Sequence, residues 1–169
     1  MMNISTVLLR VTGVFAFALM LHATSRDAVA SGKAINEVDL PIAVRKAFAR
    51  EFPTCVMKKI TKEPAKKGVE YVIESLEGMY TRVSRFSPDG TLLATRDPLM
   101  PMNLPQAVRQ AMMDRNAQKK SLGTERVKGF FRVTQNGVVT YEVQISGPKG
   151  NEVLRYTSDG TPLPGGSHK

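Results

Sequence analysis

Hydrophobic positions along this chain change their spacing twice, and in the same order each time. After Pro41 the apolar residues Val44, Ala47, Phe48 and Phe52 recur at steps of three and four, with Arg45, Lys46, Arg50 and Glu51 between them. Such spacing predicts an amphipathic helix with one buried stripe. Pro41 suits its first turn, where no amide proton is needed, Asp39 adds favourable negative charge, and Pro53 ends it. The period then falls to two. Val69, Tyr71 and Ile73 alternate with Glu70, Val72 and Glu74, which predicts a strand with one face on a core. A second helix follows Pro105, through Val108, Ala111 and Met112, and is expected to fray near residues 116–120. Beyond it, Val139, Tyr141, Val143 and Ile145 alternate with Thr140, Glu142, Gln144 and Ser146. Asp89-Gly90, Asn136-Gly137 and Asp159-Gly160 supply the positive backbone angles of tight turns, so the strands of each copy are expected to pair antiparallel in sequence order.

The recurrence is a duplication. Leu40-Pro41-Ile42-Ala43-Val44-Arg45-Lys46-Ala47 returns 64 residues later as Leu104-Pro105-Gln106-Ala107-Val108-Arg109-Gln110-Ala111. Val69-Glu70-Tyr71 returns as Val139-Thr140-Tyr141, and Arg85-Phe86-Ser87-Pro88-Asp89-Gly90-Thr91 as Arg155-Tyr156-Thr157-Ser158-Asp159-Gly160-Thr161, both at a lag of 70. The second copy therefore carries extra residues between its helix and its first strand. The predicted class is α+β: two tandem helix-plus-antiparallel-meander modules, with the helices on one face of the sheet and the other face open. First strands are expected at 54–62 and 125–134. Residues 97–103, with two prolines, form a semi-rigid join.

The order Leu-Pro, helix, Phe52-Pro53, basic strand, Glu70-Tyr71-Val72-Ile73 and Phe86-Ser87-Pro88-Asp89-Gly90-Thr91-Leu92 resembles the PepSY-like modules of exported bacterial proteins, which are grouped with the fold of the β-lactamase inhibitory protein. The resemblance covers the two modules, taken as 38–99 and 100–163, and the rest of the chain is read as a signal peptide at 1–30, an extension at 31–37 and a flexible tail at 164–169. The resemblance implies a non-enzymatic, cell-envelope or secreted binding module whose tandem copies grip another protein with a concave sheet, binding or inhibiting a peptidase or another envelope enzyme. The chain has no tryptophan, and Tyr71 and Tyr141 share their face with core residues, which speaks against β-lactamase inhibition itself.

The amino terminus bears on where the chain works. Arg10 precedes an apolar run from Val11 to Leu21, too short to span a bilayer, and Ala28-Val29-Ala30 offers small residues for a signal peptidase, with cleavage before Ser31. A site near Ala23 and an uncleaved anchor are the alternatives. Cleavage points to a periplasmic or secreted location with no transmembrane segment in the mature chain. The whole chain carries a net charge of +9, and removal of Arg10, Arg26 and Asp27 leaves +8. Lys58, Lys59, Lys62, Lys66 and Lys67 cluster around the first strand, with Arg126, Lys128 and Arg132 in its counterpart. They read either as attraction to an acidic protein or an anionic envelope surface, or as an edge strand protected from aggregation. An electrostatic ligand binder or envelope-associated structural protein without a specific protein target is the alternative function. Cys55, the single cysteine, reads as a buried thiol, with an intermolecular bridge as the alternative.

Material for catalysis is thin. Beyond residue 30 the chain has one histidine, His168, and no glycine-rich loop between strand and helix, so neither histidine-based catalysis nor phosphate cradling is predicted. No cofactor and no metal are expected, and nucleic acid is not an expected partner of an exported chain without exposed aromatics. The candidate partner-binding residues are Glu70, Glu74, Tyr80, Arg82, Arg132, Thr140, Glu142 and Gln144, read as one polar sheet face. As surface groups, Glu142 and Arg82 are expected to tolerate replacement with little change in stability, whereas Tyr141→Ser empties a core position.

Overall fold

The computed structural model describes residues 32–66, 68–118, 125–148 and 150–168, so the expected signal peptide lies outside the described residues. In chain order the elements are β1 (Lys33–Ile35), a 3-10 turn (Glu37–Asp39), α1 (Ile42–Glu51), β2 (Val56–Ala65), β3 (Gly68–Glu77), β4 (Tyr80–Phe86) and β5 (Leu92–Leu99). A second 3-10 turn (Pro101–Asn103), α2 (Gln106–Gln118), β6 (Arg126–Gln135), β7 (Val138–Gly147), β8 (Gly150–Tyr156) and β9 (Pro162–His168) complete it. All nine strands form a single sheet in sequence order, each antiparallel to the next.

That architecture overturns the expectation of two tandem helix-plus-meander modules. β5 pairs with β4 through Val83 and Arg96 and with β6 through Asp97 and Arg132, so the ladder crosses the supposed join without a break. Two separate meanders would each expose an edge of unpaired amides and carbonyls there, and pairing β5 with β6 removes both. Pro98 is tolerated in this strand because the β4 ladder ends at Arg96, leaving residues 97–99 with β6 as their one ladder partner. The duplication survives as a repeat of register inside one sheet. Lys62 lies opposite Tyr71 and Tyr71 opposite Phe86; Arg132, Tyr141 and Tyr156 repeat that row. The repeat also begins earlier than the helix, since β1 stands beside β2 as β5 stands beside β6. At the other end β9 pairs with β8 out to Asn151 and His168, through positions expected to form a frayed tail.

Residues directly opposed in an antiparallel pair project to the same face, and this places both helices on one side. Leu40, Val44, Ala47 and Phe48 pack on Ile60, Tyr71, Ile73 and Phe86, with the Phe48 and Phe86 rings meeting edge-on at 6.4 Å between centroids. Leu104 and Val108 pack on Val143, Ile145 and Tyr156, with Tyr141 and Phe130 beside them. At about 1.5–3 kcal/mol for each large side chain removed from water, these two clusters supply the main drive to seat the helices.

Each helix is also docked at its start by an Asp-Gly turn. Gly90 and Gly160 have φ of 87° and 83°, and a Cβ on either would come within 2.6 Å of a carbonyl oxygen, that of Ala43 or Ala107. The turns are built alike: the Gly90 amide donates to Ser87 O and the Ser87 amide to Thr91 O, each at 3.0 Å, and Thr157, Gly160 and Thr161 reproduce both bonds. The Asp89 carboxylate accepts from the Ser87 hydroxyl and the Thr91 amide, and Asp159 accepts likewise from Thr157 and Thr161. Hydrogen bonding to the ionised form, from the Ser87 or Thr157 hydroxyl first, holds both carboxyls below the ordinary Asp value.

Two predictions follow from these turns. Gly90→Ala and Gly160→Ala should each lower stability by about 2–4 kcal/mol, combining left-handed strain with a steric clash against the helix. Gly137→Ala, also at positive φ but with open space around it, should cost only the strain, about 1 kcal/mol. Equal losses in urea melts at all three positions would show that the turns do not hold the helices. Because the folded carboxyls are the stronger acids, their contribution is present above the ordinary pKa of 3.8 and is lost as pH falls through the lower folded value. The Asp89→Asn, Asp159→Asn double variant should therefore lose less stability between pH 5 and pH 2 than the parent in thermal melts.

Candidate binding face

The face of the sheet that carries no helix is built from the alternate residues of β2 to β8. Register assigns to it Glu70, Val72 and Glu74 of β3, Val83 and Arg85 of β4, Arg96 and Pro98 of β5, Phe131 and Val133 of β6, Thr140, Glu142 and Gln144 of β7, and Val153 and Arg155 of β8. At its centre Val83, Pro98, Phe131 and Val133 are half-buried with no helix above them, and Arg96 lies between Val83 and Val133 in the ladder. Around this strip the charges are paired. Lys59 reaches Glu74 at 3.1 Å, and Arg85 bridges Glu63 at 2.9 Å and Glu70 at 3.0 Å.

The tightest grouping centres on Glu142. It is only 6 % exposed, and its two carboxylate oxygens accept separate bonds at 3.0 Å, one from Arg96 Nε and one from Arg155 Nε. The Arg96 guanidinium in turn lies 3.3 Å from the centroid of the Phe131 ring, so a cation–π contact fixes the aromatic on the sheet surface. This corrects the expectation that Glu142 is a tolerant surface group. Its removal would strand Arg155, whose side chain is 10 % exposed, without its carboxylate.

Of the eight candidate residues, Glu70, Glu74, Thr140, Glu142 and Gln144 share this face. Tyr80, Arg82 and Arg132 do not. Arg82 lies opposite Ser75, which follows Ile73 on the helix side, and Arg132 lies opposite Tyr141, so both project between the two helical cores. There Asp97 accepts from Arg82 Nε, from Thr95 Oγ1 at 3.1 Å and from Arg132 Nη2 at 3.4 Å. Arg82 also reaches Glu77 at 3.3 Å and Cys55 Sγ at 3.1 Å, and its guanidinium stacks 4.7 Å over the Phe52 ring. Burial works against the Arg82 charge, but the hydrogen bond and attraction of Asp97, with Cys55 and Glu77, outweigh it and raise the pKa above the ordinary arginine value. Arg82 is thus a structural centre, and its expected tolerance to replacement is also withdrawn. Cys55 is half-buried at the foot of β2 instead of inside a strand. Tyr80 sits at the rim of the helix side, its hydroxyl 3.5 Å from Met100 Sδ, beside the exposed Met79 and Met102.

Sequence reasoning missed Arg85, Arg96, Phe131 and Arg155. The adjacent pair Phe130-Phe131 held the signal, because in a strand two consecutive large apolar residues must face opposite sides. Phe130 enters the core and Phe131 takes the open face. Among the described residues no group of three His, Cys, Asp or Glu side chains could hold a metal ion, and no helix is long and apolar enough to cross a membrane.

One prediction tests the Glu142 grouping: Glu142→Ser should destabilise by about 2–4 kcal/mol, comparable to Tyr141→Ser, whereas Gln144→Ser, on the same face and strand, should stay within about 0.5 kcal/mol. A Glu142→Ser melt indistinguishable from that of Gln144→Ser would remove Glu142 from the role given to it.

No protein-family model matches the chain, and no curated protein matches it. Solved structures do. A candidate periplasmic protein of Bacteroides eggerthii DSM 20697 superposes with a TM-score of 0.59 at 18% identity, over 75% of this chain and 88% of that one. A DUF2874 family protein of Bacteroides uniformis ATCC 8492 gives 0.56 at 16% identity, over 74% and 87%. A BLIP-like protein of Bacteroides fragilis NCTC 9343 gives 0.54 at 21% identity, over 73% of this chain and 83% of that one. At such identities the likeness is one of fold: the chain has a BLIP-like fold, a long antiparallel sheet with its helices on one side.

Proposed function

We propose that this chain is an exported, non-catalytic, PepSY-like binding protein that takes hold of a protein partner with the helix-free face of its sheet. The observation that carries the reading is the make-up of that face. Val83, Pro98, Phe131 and Val133, which no helix covers, surround Arg96, whose guanidinium lies on the Phe131 ring, and the ion pairs of this face are made within the chain. An apolar centre inside a polar, hydrogen-bonded rim is the anatomy of a protein–protein interface. Phe131 is suited to be an anchor, since its stacking on Arg96 limits the rotamer freedom lost on binding. The BLIP-like neighbour supports a binding role and the candidate periplasmic neighbour supports export, in agreement with the signal-like residues 1–30. Inhibition of a peptidase or other envelope enzyme is the form of binding we favour.

The paired charges also separate this reading from electrostatic attachment to an envelope surface. On this face Lys59, Arg85, Arg96 and Arg155 are matched by Glu63, Glu70, Glu74 and Glu142. A photo-crosslinking side chain at Thr140 of the exported protein should capture a defined partner in the host, while one at Met113, exposed on α2, should not. With that partner purified, Phe131→Ala should weaken binding at least about tenfold, and affinity should change less than about threefold between 50 and 300 mM salt. Loss of binding in salt with no effect of Phe131→Ala would favour the electrostatic alternative.

A further inference from the structure

On the helix side, at the β1 edge, a half-open cavity of about 520 Å³ is lined by Lys33, Ile35, Asn36, Asp39, Lys62 and Tyr71. Within it Lys33 of β1 lies directly opposite Lys62 of β2, and Lys62 directly opposite Tyr71 of β3. Like charges facing one another across an antiparallel pair are destabilising, and both lysines point to the same side. Asp39, the cavity's acidic residue, is engaged by the Asn36 amide at 3.3 Å.

The internal repeat shows what this arrangement lacks. The corresponding row in the second half runs Asp97, Arg132, Tyr141: β5 places a carboxylate opposite the basic residue where β1 places a lysine. Positions 33 and 97 are related by the same 64-residue lag that relates Pro41 to Pro105, and each is followed by a 3-10 turn and a helix. Arg82 of β4 and Arg132 of β6 both close on Asp97. In the first half Lys33 itself stands at the place of that carboxylate, and the two lysines border the cavity.

We propose that this cavity is a binding site for a carboxylate-bearing ligand, whose carboxylate sits against the Lys33 and Lys62 side chains and offsets the like charges that face one another there. Its volume falls in the range of small-molecule sites and exceeds what a bare carboxylate fills, so the ligand carries further atoms to lie along Ile35 and the Tyr71 ring. A small dicarboxylic acid and the acidic end or side chain of a peptide share this chemistry. The site lies on the opposite side of the sheet from the proposed partner-binding face and stands independently of it.

The experiment is a titration of the full chain, with its lysines labelled by ¹³C reductive methylation, against succinate, a short Glu-containing peptide and, as a control, chloride. Succinate or the peptide should shift the Lys33 and Lys62 signals saturably, and the stronger of the two identifies the source of the carboxylate. Lys33→Asp supplies the missing carboxylate from the chain itself. It should raise the melting temperature and weaken carboxylate binding at least about tenfold, or about 1.4 kcal/mol. Lys62→Gln should also abolish the shifts of Lys33 while the fold, read by circular dichroism, is retained. Non-saturating shifts spread over all lysines, equal effects of chloride and succinate, or undiminished binding by Lys33→Asp would each overturn the proposal.

Discussion

Asp97 holds the two halves of the sheet in one piece. It stands on β5 where that strand has left β4 and has β6 as its one ladder partner, and it is gripped by an arginine from either side, Arg82 of β4 and Arg132 of β6. Backbone pairing alone would allow β5 to slide along β6 by two residues while keeping its faces, because the strand period is two. A carboxylate shared between guanidiniums from both neighbours fixes the register. With that register fixed, the helix side becomes two apolar clusters separated by a polar seam, and the other side becomes a continuous surface on which Arg96 of β5 can reach both Phe131 of β6 and Glu142 of β7.

The two sides of the sheet use charge differently. On the helix-free side the ion pairs are internal, and their effect is to hold long side chains flat around an apolar strip. On the helix side and at the β1 edge the basic residues are less evenly matched: Lys46 decorates α1, and Lys33 and Lys62 face each other across the β1–β2 pair.

Equivalent positions in the two halves solve the same problem with different chemistry. At the helix end of β4 the Arg82 guanidinium stacks on Phe52 of the α1 terminus; at the corresponding point of β8, Glu152 meets Arg115 of α2 at 2.8 Å. On the open face Arg85 pairs with Glu63 and Glu70, whereas its counterpart Arg155 shares Glu142 with Arg96. The halves keep their geometry because backbone register and the Asp-Gly turns are retained, and the side-chain partners are free to change.

The sequence by itself determined the two helices, the order of strands, the duplication and the core placement of Tyr71 and Tyr141, because each rests on local periodicity or on a residue type with one backbone preference. Only the tertiary structure decided that the copies merge into one sheet, that β1 and β9 extend it, and which way the charged residues of β4 and β6 face. In Tyr80-Thr81-Arg82-Val83-Ser84-Arg85-Phe86 the large apolar residues recur every third position, which a strand of period two cannot place on one side. Phe86 was claimed by the α1 core and took Arg82 with it, leaving Val83 and Arg85 to the open face. Glu142 reads as a wet position in its own strand, and it is buried because Arg96 and Arg155 arrive from neighbours 46 and 13 residues away. Local spacing fixes what alternates; which side is covered depends on contacts between residues far apart in the chain, and those exist only once the sheet has closed over the join.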